Sequence, residues 1–166
     1  MRIFKIVCII SLIIGVFTVP ALFAEKTFNL AVVRHQDFQP FEQAYDGFIS
    51  GLTVWGYQDR VNIVDNYNAK SDIRQLEAHI NNYSRRTDID LIFSIGTHST
   101  KRLAKTVTEI PMVFTIVGDP ERAGIVSNWK SSGKNYTGVE TPQYYSKVVR
   151  LMHHYIPFKS LGMIYL

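Results

Sequence analysis

The chain has 166 residues, 46 % of them apolar and 19 % charged, which is enough for one domain with its own core and too apolar for a disordered chain. Its net charge of +4 includes Arg2 and Lys5 of an apolar leader, and without them 16 basic residues face 14 acidic ones. These charges are scattered along the chain, not gathered into the basic stripe that a nucleic-acid partner requires.

Residues 1–24 read as a secretory signal. Arg2 and Lys5 form a positive start, Ile6 to Val19 is an apolar run, Pro20 breaks it, and Ala21-Leu22-Phe23-Ala24 offers a cleavage point. The other reading is an uncleaved membrane anchor, for which the run is short. Cys8 is the one cysteine and sits inside that run, too early for a lipid-anchor position. A mature chain from Glu25 onward therefore has no disulfide, no thiolate nucleophile and no cysteine-bound metal. Export without disulfides suits a bacterial periplasm.

Beyond the leader, strand-like and helix-like segments alternate. Phe28 to Arg34 is a compact apolar run, expected as a buried strand. Gln39 to Trp55 carries Phe41, Ala44, Tyr45, Phe48, Leu52 and Trp55 at helical spacing. Val61 to Tyr67 reads as a strand. Asp72 to Arg85 has a stripe of Ile73, Leu76, Ile80 and Tyr83, with Ser71 placed to cap it. Ile89 to Ile95 is a third strand, followed by a turn at Gly96 into a short helix through Val107. Pro111 to Val117 and Tyr136 to Glu140 are further strands. Pro142 to Tyr155 is a helix with Tyr145, Val148, Val149, Met152 and Tyr155 on one face, and Leu161 to Leu166 begins another strand. This order predicts an α/β fold: a parallel sheet in a three-layer α/β/α, Rossmann-like arrangement. A final apolar strand with no helix to cover it is expected to belong to a second domain that this chain does not contain.

In such a sheet, ligands bind beyond the carboxyl ends of the strands. Three loops qualify: Arg34 to Gln39, Gly96 to Thr100, and Gly118 to Ala123. In the second, a strand ends at Gly96 and a helix opens with Thr97, His98 and Ser99, so backbone N–H groups and hydroxyls gather where a carboxylate can bind. The alternative is that Thr97 or Ser99 only caps the helix, with His98 a solvated loop residue. Asp119 can hold a ligand ammonium or bond its own turn. Gln36, with His35 and Phe38, offers amide donors and an aromatic wall.

Reaction motifs are missing. Ser132-Gly133-Lys134-Asn135 lacks the glycine and the Ser/Thr of a phosphate loop. Ser99 lacks the glycines of a nucleophile elbow. His153 and His154 are adjacent and cannot share a metal from one helix face. An enzyme is not expected, and no cofactor is called for.

The run Met112-Val113-Phe114 to Gly118-Asp119-Pro120, then Ala123-Gly124-Ile125-Val126 and Gly133 with Thr137-Gly138-Val139, resembles a family signature. It is similar to the ABC-transporter substrate-binding proteins related to tryptophan- and tyrosine-binding lipoproteins, with the likeness running from Phe28 to Leu166. The resemblance implies the N-terminal lobe of a type I periplasmic-binding fold, with residues 25–141 forming that lobe and residues 142–166 the start of a second, incomplete one. It implies that Thr97, His98 and Ser99 meet a ligand carboxylate, that Asp119 lies at the cleft floor and that Gln36 lines the wall. The function implied is solute capture, of an amino acid or similar molecule, for an ABC permease in the inner membrane. A sensing ectodomain of an envelope receptor is the alternative on the same fold. The chain departs from the family in lacking the lipid-anchor cysteine, in ending where the second lobe would start, and in having His98 where members usually carry a small residue or proline.

Overall fold

A computed structural model describes residues 26–162. Residues 1–25, which include the leader, and the last four residues lie outside it. Among the described residues the elements run β1 (Phe28–Arg34), α1 (Gln39–Val54), a 3-10 turn (Gln58–Arg60), β2 (Val61–Asn68), α2 (Ile73–Tyr83), β3 (Leu91–Ile95), α3 (Thr97–Thr106), β4 (Met112–Val117), β5 (Tyr136–Glu140) and α4 (Tyr145–Tyr155). The five strands form one sheet in the order β2-β1-β3-β4-β5, and every pairing is parallel.

The inner strands β1, β3 and β4 are largely apolar because the middle of the sheet is covered on both faces, while the edge strands β2 and β5 carry polar, exposed residues. Successive residues of β1 point to opposite sides, and both sides are buried: Ala31, Val32 and Val33 are each 0 % exposed. Leu30, Val32, Phe93 and Ile95 meet Phe41, Ala44, Tyr45 and Phe48 of α1, and the Phe48 and Phe93 rings stack at 4.1 Å. On the opposite face, Ala31, Val33 and Ile92 meet Leu76, Ile80 and Tyr83 of α2 and Leu103 and Ala104 of α3. This is the expected three-layer arrangement.

Several boundaries differ from the sequence reading for local reasons. Strand β4 begins at Met112, not Pro111, since proline has no N–H to give the ladder; the Pro111 carbonyl still accepts from Ile92 N at 2.9 Å. Ser71 does not cap α2. It sits at φ 69°, and Asp72 takes the cap, its Oδ1 accepting from Arg74 N at 2.9 Å and Gln75 N at 3.1 Å. Those bonds, from Gln75 first, hold the Asp72 carboxyl below its ordinary range. Trp55 follows the last turn of α1 and is 79 % exposed, so the core stripe of that helix stops short of it.

One half-buried polar network lies between β2 and α2. Asp65 Oδ2 accepts from Tyr83 Oη at 3.1 Å and lies 2.9 Å from His79 Nε2 and 3.4 Å from Arg86 Nη1. Tyr67 stacks on His79 at 3.6 Å. Burial, then the Asp65 charge, push the Tyr83 phenol well above its ordinary range, so Tyr83 remains a donor. Removing the carboxylate strands a buried hydroxyl. Asp65→Ala is expected to lower unfolding stability by about 2 kcal/mol in urea titration. An unchanged midpoint would mean that the network contributes nothing net.

Helix α4 differs from the others. None of its residues is buried, and Tyr145, Val148, Val149, Met152 and Tyr155 are all exposed. Its apolar stripe is present, but among the described residues nothing buries it. Leu161 and Gly162 have no regular structure, and the rest of the expected strand to Leu166 lies outside the described residues.

Candidate functional site

The strand order reverses between β1 and β3: the chain runs outward from β1 to β2, then returns past β1 to β3. At such a switch point the loops after the two strands part in opposite directions and leave a crevice at their carboxyl ends. Arg34 pairs with Ile95 at that end, so His35 and Gly96 are the first residues beyond it.

Gly96 makes the turn into α3. Its φ of 95° and ψ of 156° belong to a region open essentially to glycine, and a Cβ there would lie 2.5 Å from Phe41 Cζ. The helix then starts without a side-chain cap. Thr100 N, on Gly96 O at 3.1 Å, is the first helix donor to find a partner within the helix. The N–H groups of Thr97, His98 and Ser99 point out of the helix start, as the first turn of any helix leaves them.

The hydroxyls secure this turn. Ser99 is fully buried, and its Oγ donates back to Ile95 O at 2.6 Å, with Gly96 O at 3.0 Å. Thr100 Oγ1 donates to Gly96 O at 2.8 Å and lies 2.8 Å from Ser94 Oγ. Ser99 therefore offers a backbone N–H to the crevice while its side chain faces the core, and neither it nor Thr97 caps the helix. Thr97 is half-buried and His98 exposed.

His35 lies across the switch point from His98, their ring centroids 4.8 Å apart and tilted by 30°. His35 is buried, and its Nε2 has no hydrogen-bond partner. Gln36 follows, half-buried, and Phe38 is exposed, packing edge-on to Phe41 at 5.3 Å. Arg34 does not enter the crevice. Its guanidinium is spent on Glu42 and on Asn66 Oδ1 at 2.9 Å, under the Tyr45 ring.

Asp119 lies at the other side, after β4. The backbone is left-handed at Ile116 (φ 53°) and at Asp119 (φ 48°), and the ladder to β5 shifts register between Phe114 and Val117. Asp119 Oδ1 accepts from Arg122 N at 2.9 Å, so this carboxylate does hold its own turn. It also lines an open depression of about 410 Å³ with Glu121, Arg122, Trp129 and Glu140. A second depression of about 340 Å³ is lined by Thr97, His98, Lys101, Arg102 and Lys105. The structure thus gathers Thr97, His98 and the Ser99 backbone with His35, and places Asp119 apart from them beside Glu140.

The crevice edge is polarised. Helix-start N–H groups, imidazoles and Lys101 lie near β3, while Asp119 and Glu140 lie at the ends of β4 and β5. Glu140 and Trp129 were not singled out in the sequence. Glu140 was legible as the last residue of a strand, by the same rule that marked Asp119. Trp129 lies in an irregular polar loop and carried no such signal. Among the described residues no group of three or more His, Cys, Asp or Glu is placed to hold a metal, and no helix is long and apolar enough to cross a membrane.

A doubly covered parallel sheet with a polarised crevice at its switch point is the architecture of a small-molecule binding lobe. The chain belongs to the ABC transporter substrate binding protein family, whose model matches residues 29–166. It is 28 % identical over 144 residues to a tyrosine-binding protein of Clostridioides difficile (strain R20291), a match covering 86 % of this chain and 41 % of that protein. A conserved domain protein from Vibrio cholerae superposes with a TM-score of 0.72 at 25 % identity, over 80 % of this chain and 45 % of that one. The ABC domain from Streptococcus pneumonia in complex with L-Trp superposes with a TM-score of 0.71 at 25 % identity, over 77 % and 43 %. The chain thus spans less than half the length of each of these relatives.

Proposed function

We propose that this lobe captures a small zwitterionic solute, an amino acid of the tyrosine or tryptophan kind, as the exported binding component of an ABC importer. The observation that carries the reading is the polarity of the crevice. The open N–H groups of Thr97, His98 and Ser99 suit a carboxylate, and Asp119, with Glu140 beside it, suits an ammonium. Phe38 and Trp129, both exposed, supply aromatic surface for a ring, with Gln36 on the wall. Capture without chemistry fits the lack of a nucleophile elbow or cysteine nucleophile in the mature sequence. Residues 1–24 act as the export signal to the periplasm, residues 25–141 as the first lobe and residues 142–166 as the start of a second. Helix α4 supports that division, because none of its residues is buried against the rest of the described chain. Closure of two lobes on the solute would then present both to a membrane permease.

Calorimetric titration of the full-length protein tests the reading. L-Tryptophan and L-tyrosine are expected to bind. Tryptamine, lacking the carboxylate, and indole-3-propionate, lacking the ammonium, are each expected to bind at least about tenfold more weakly, since each loses a charge-assisted hydrogen bond. Equal affinity for tryptamine and tryptophan would remove the helix start from the site.

A further inference from the structure

His35 is unusual on geometric grounds alone. It is 9 % exposed, and its Nε2 is enclosed without a hydrogen-bond partner, a rare condition for a buried polar atom. It stands directly beyond β1 at the topological switch point. Its ring touches His98, the second residue of a ten-residue helix whose first N–H groups are also open. An unpartnered buried nitrogen therefore belongs to a ring that stands next to a bare helix start. One missing group completes both: an anion.

Burial, then the facing His98, favour the neutral ring in the empty lobe. A neutral imidazole has one N–H and one lone pair, and a lone pair repels a carboxylate. Only the protonated ring offers an N–H at both nitrogens, whichever tautomer it starts from.

We propose that His35 is a ligand-contacting residue that takes up a proton from solvent as the solute's carboxylate settles at the start of α3, so that solute and proton bind together. The inference rests on the reading of this crevice as a solute site. His98, at a position one turn before Lys101, lies on the open side of the same spot, so the pair sets the preference for an anionic group over a neutral one.

The charges around His35 agree. In the empty lobe, burial and then the facing His98 hold the His35 imidazole below its ordinary value, with Gln36 acting the other way. Of the other groups nearby, Asp37 is held by Asn68 Nδ2 at 2.6 Å and Asp72 by its cap. The loop before α2 reaches His35 through its backbone, Ser71 N donating to His35 O at 2.8 Å; Lys70 lies in that loop. A carboxylate arriving beside the ring reverses the balance and raises the bound-state value. Affinity then strengthens as pH falls from the bound-state value toward the empty-state value, by at most about tenfold per pH unit.

The test is calorimetric titration of the full-length protein with L-tryptophan between about pH 5.5 and 7.5, below the range in which α-amino groups lose their proton. Two buffers of different ionisation enthalpy are used at each pH. Binding is expected to tighten about fivefold or more from the upper to the lower pH, with net proton uptake. His35→Gln should bind with a flat pH profile and no uptake, and His98→Gln should move the profile toward higher pH. Tryptophan binding with a flat profile and no proton uptake in the wild type would overturn the role of His35 and leave the solute reading standing. No binding at any pH by tryptophan or tyrosine would overturn both. Should His35→Gln fail to fold, imidazole titration of the isotope-labelled wild type by NMR decides: the His35 value must rise when tryptophan is added, and an unmoved value overturns the proposal.

Discussion

Gly96→Ala is expected to destabilise the lobe by about 3 kcal/mol and to weaken solute binding well beyond the loss caused by any single side-chain removal at the crevice. Two independent effects meet at this residue. The backbone, at φ 95° and ψ 156°, lies where an L side chain costs on the order of 1–3 kcal/mol. The added Cβ would also stand 2.5 Å from Phe41 Cζ and 2.9 Å from Cε2. That ring cannot swing aside, because Phe41 is packed among Leu30, Val32, Phe93 and Ile95. Overpacking of this kind costs about 1–3 kcal/mol. Relief would come by shifting the turn, which moves the N–H groups of Thr97, His98 and Ser99 together. The second-site change Phe41→Leu separates the two effects. If the clash dominates, Gly96→Ala in the Phe41→Leu background should cost at least about 1 kcal/mol less than in the wild type, a coupling typical of touching residues. If the backbone conformation dominates, the two changes should add. Urea unfolding gives the stabilities and calorimetry the affinities. A Gly96→Ala protein with wild-type stability would mean that the turn has another conformation open to it.

Much of the lobe could be read along the chain because its elements are locally marked. The strand Phe28–Arg34 lies where its apolar run places it, Tyr136–Glu140 has the bounds expected of it, and the stripes Phe41-Ala44-Tyr45-Phe48 and Leu76-Ile80-Tyr83 face the sheet. Periodicity says which face is apolar, not whether anything covers it. Hence α4 has its stripe yet buries none of it among the described residues, and Trp55 continues the pattern of α1 while standing in solvent. The strand order is a property of crossovers, which local pattern does not contain, so the meeting of His35 with His98 could not be seen in advance. Both residues were visible in candidate loops, yet only the β1-to-β3 adjacency makes them a pair. Ser99 shows the opposite limit. Its position at the helix start was legible, but its hydroxyl turns inward because the carbonyls of Ile95 and Gly96 lie within 3.0 Å of it and satisfy it there. Ser71 and Asp72 are neighbours with equal claims to a cap. The left-handed φ at Lys70 and Ser71 hands the role to Asp72.

Asp119→Asn is expected to weaken tryptophan binding by about ten- to a hundredfold while leaving the melting temperature nearly unchanged. The substitution is chosen because Asp119 has two occupations. Its Oδ1 accepts from Arg122 N at 2.9 Å, and its backbone sits at φ 48°. Asparagine keeps both, since its amide oxygen accepts in the same place and it tolerates the left-handed region as aspartate does. Only the negative charge is lost. A charge-assisted bond to an ammonium is worth about 1.5–3 kcal/mol, which converts to the stated range. Asp119→Ala would not serve, because it removes the turn bond along with the charge. The sharper comparison uses ligands. Asp119→Asn should not weaken indole-3-propionate, which has no ammonium, so the penalty should appear for tryptophan alone. If both ligands weaken equally, Asp119 acts only through the turn that places β4 against β5. If neither weakens, the ammonium is held elsewhere, and Glu140, which lines the same depression at the end of β5, becomes the residue to change.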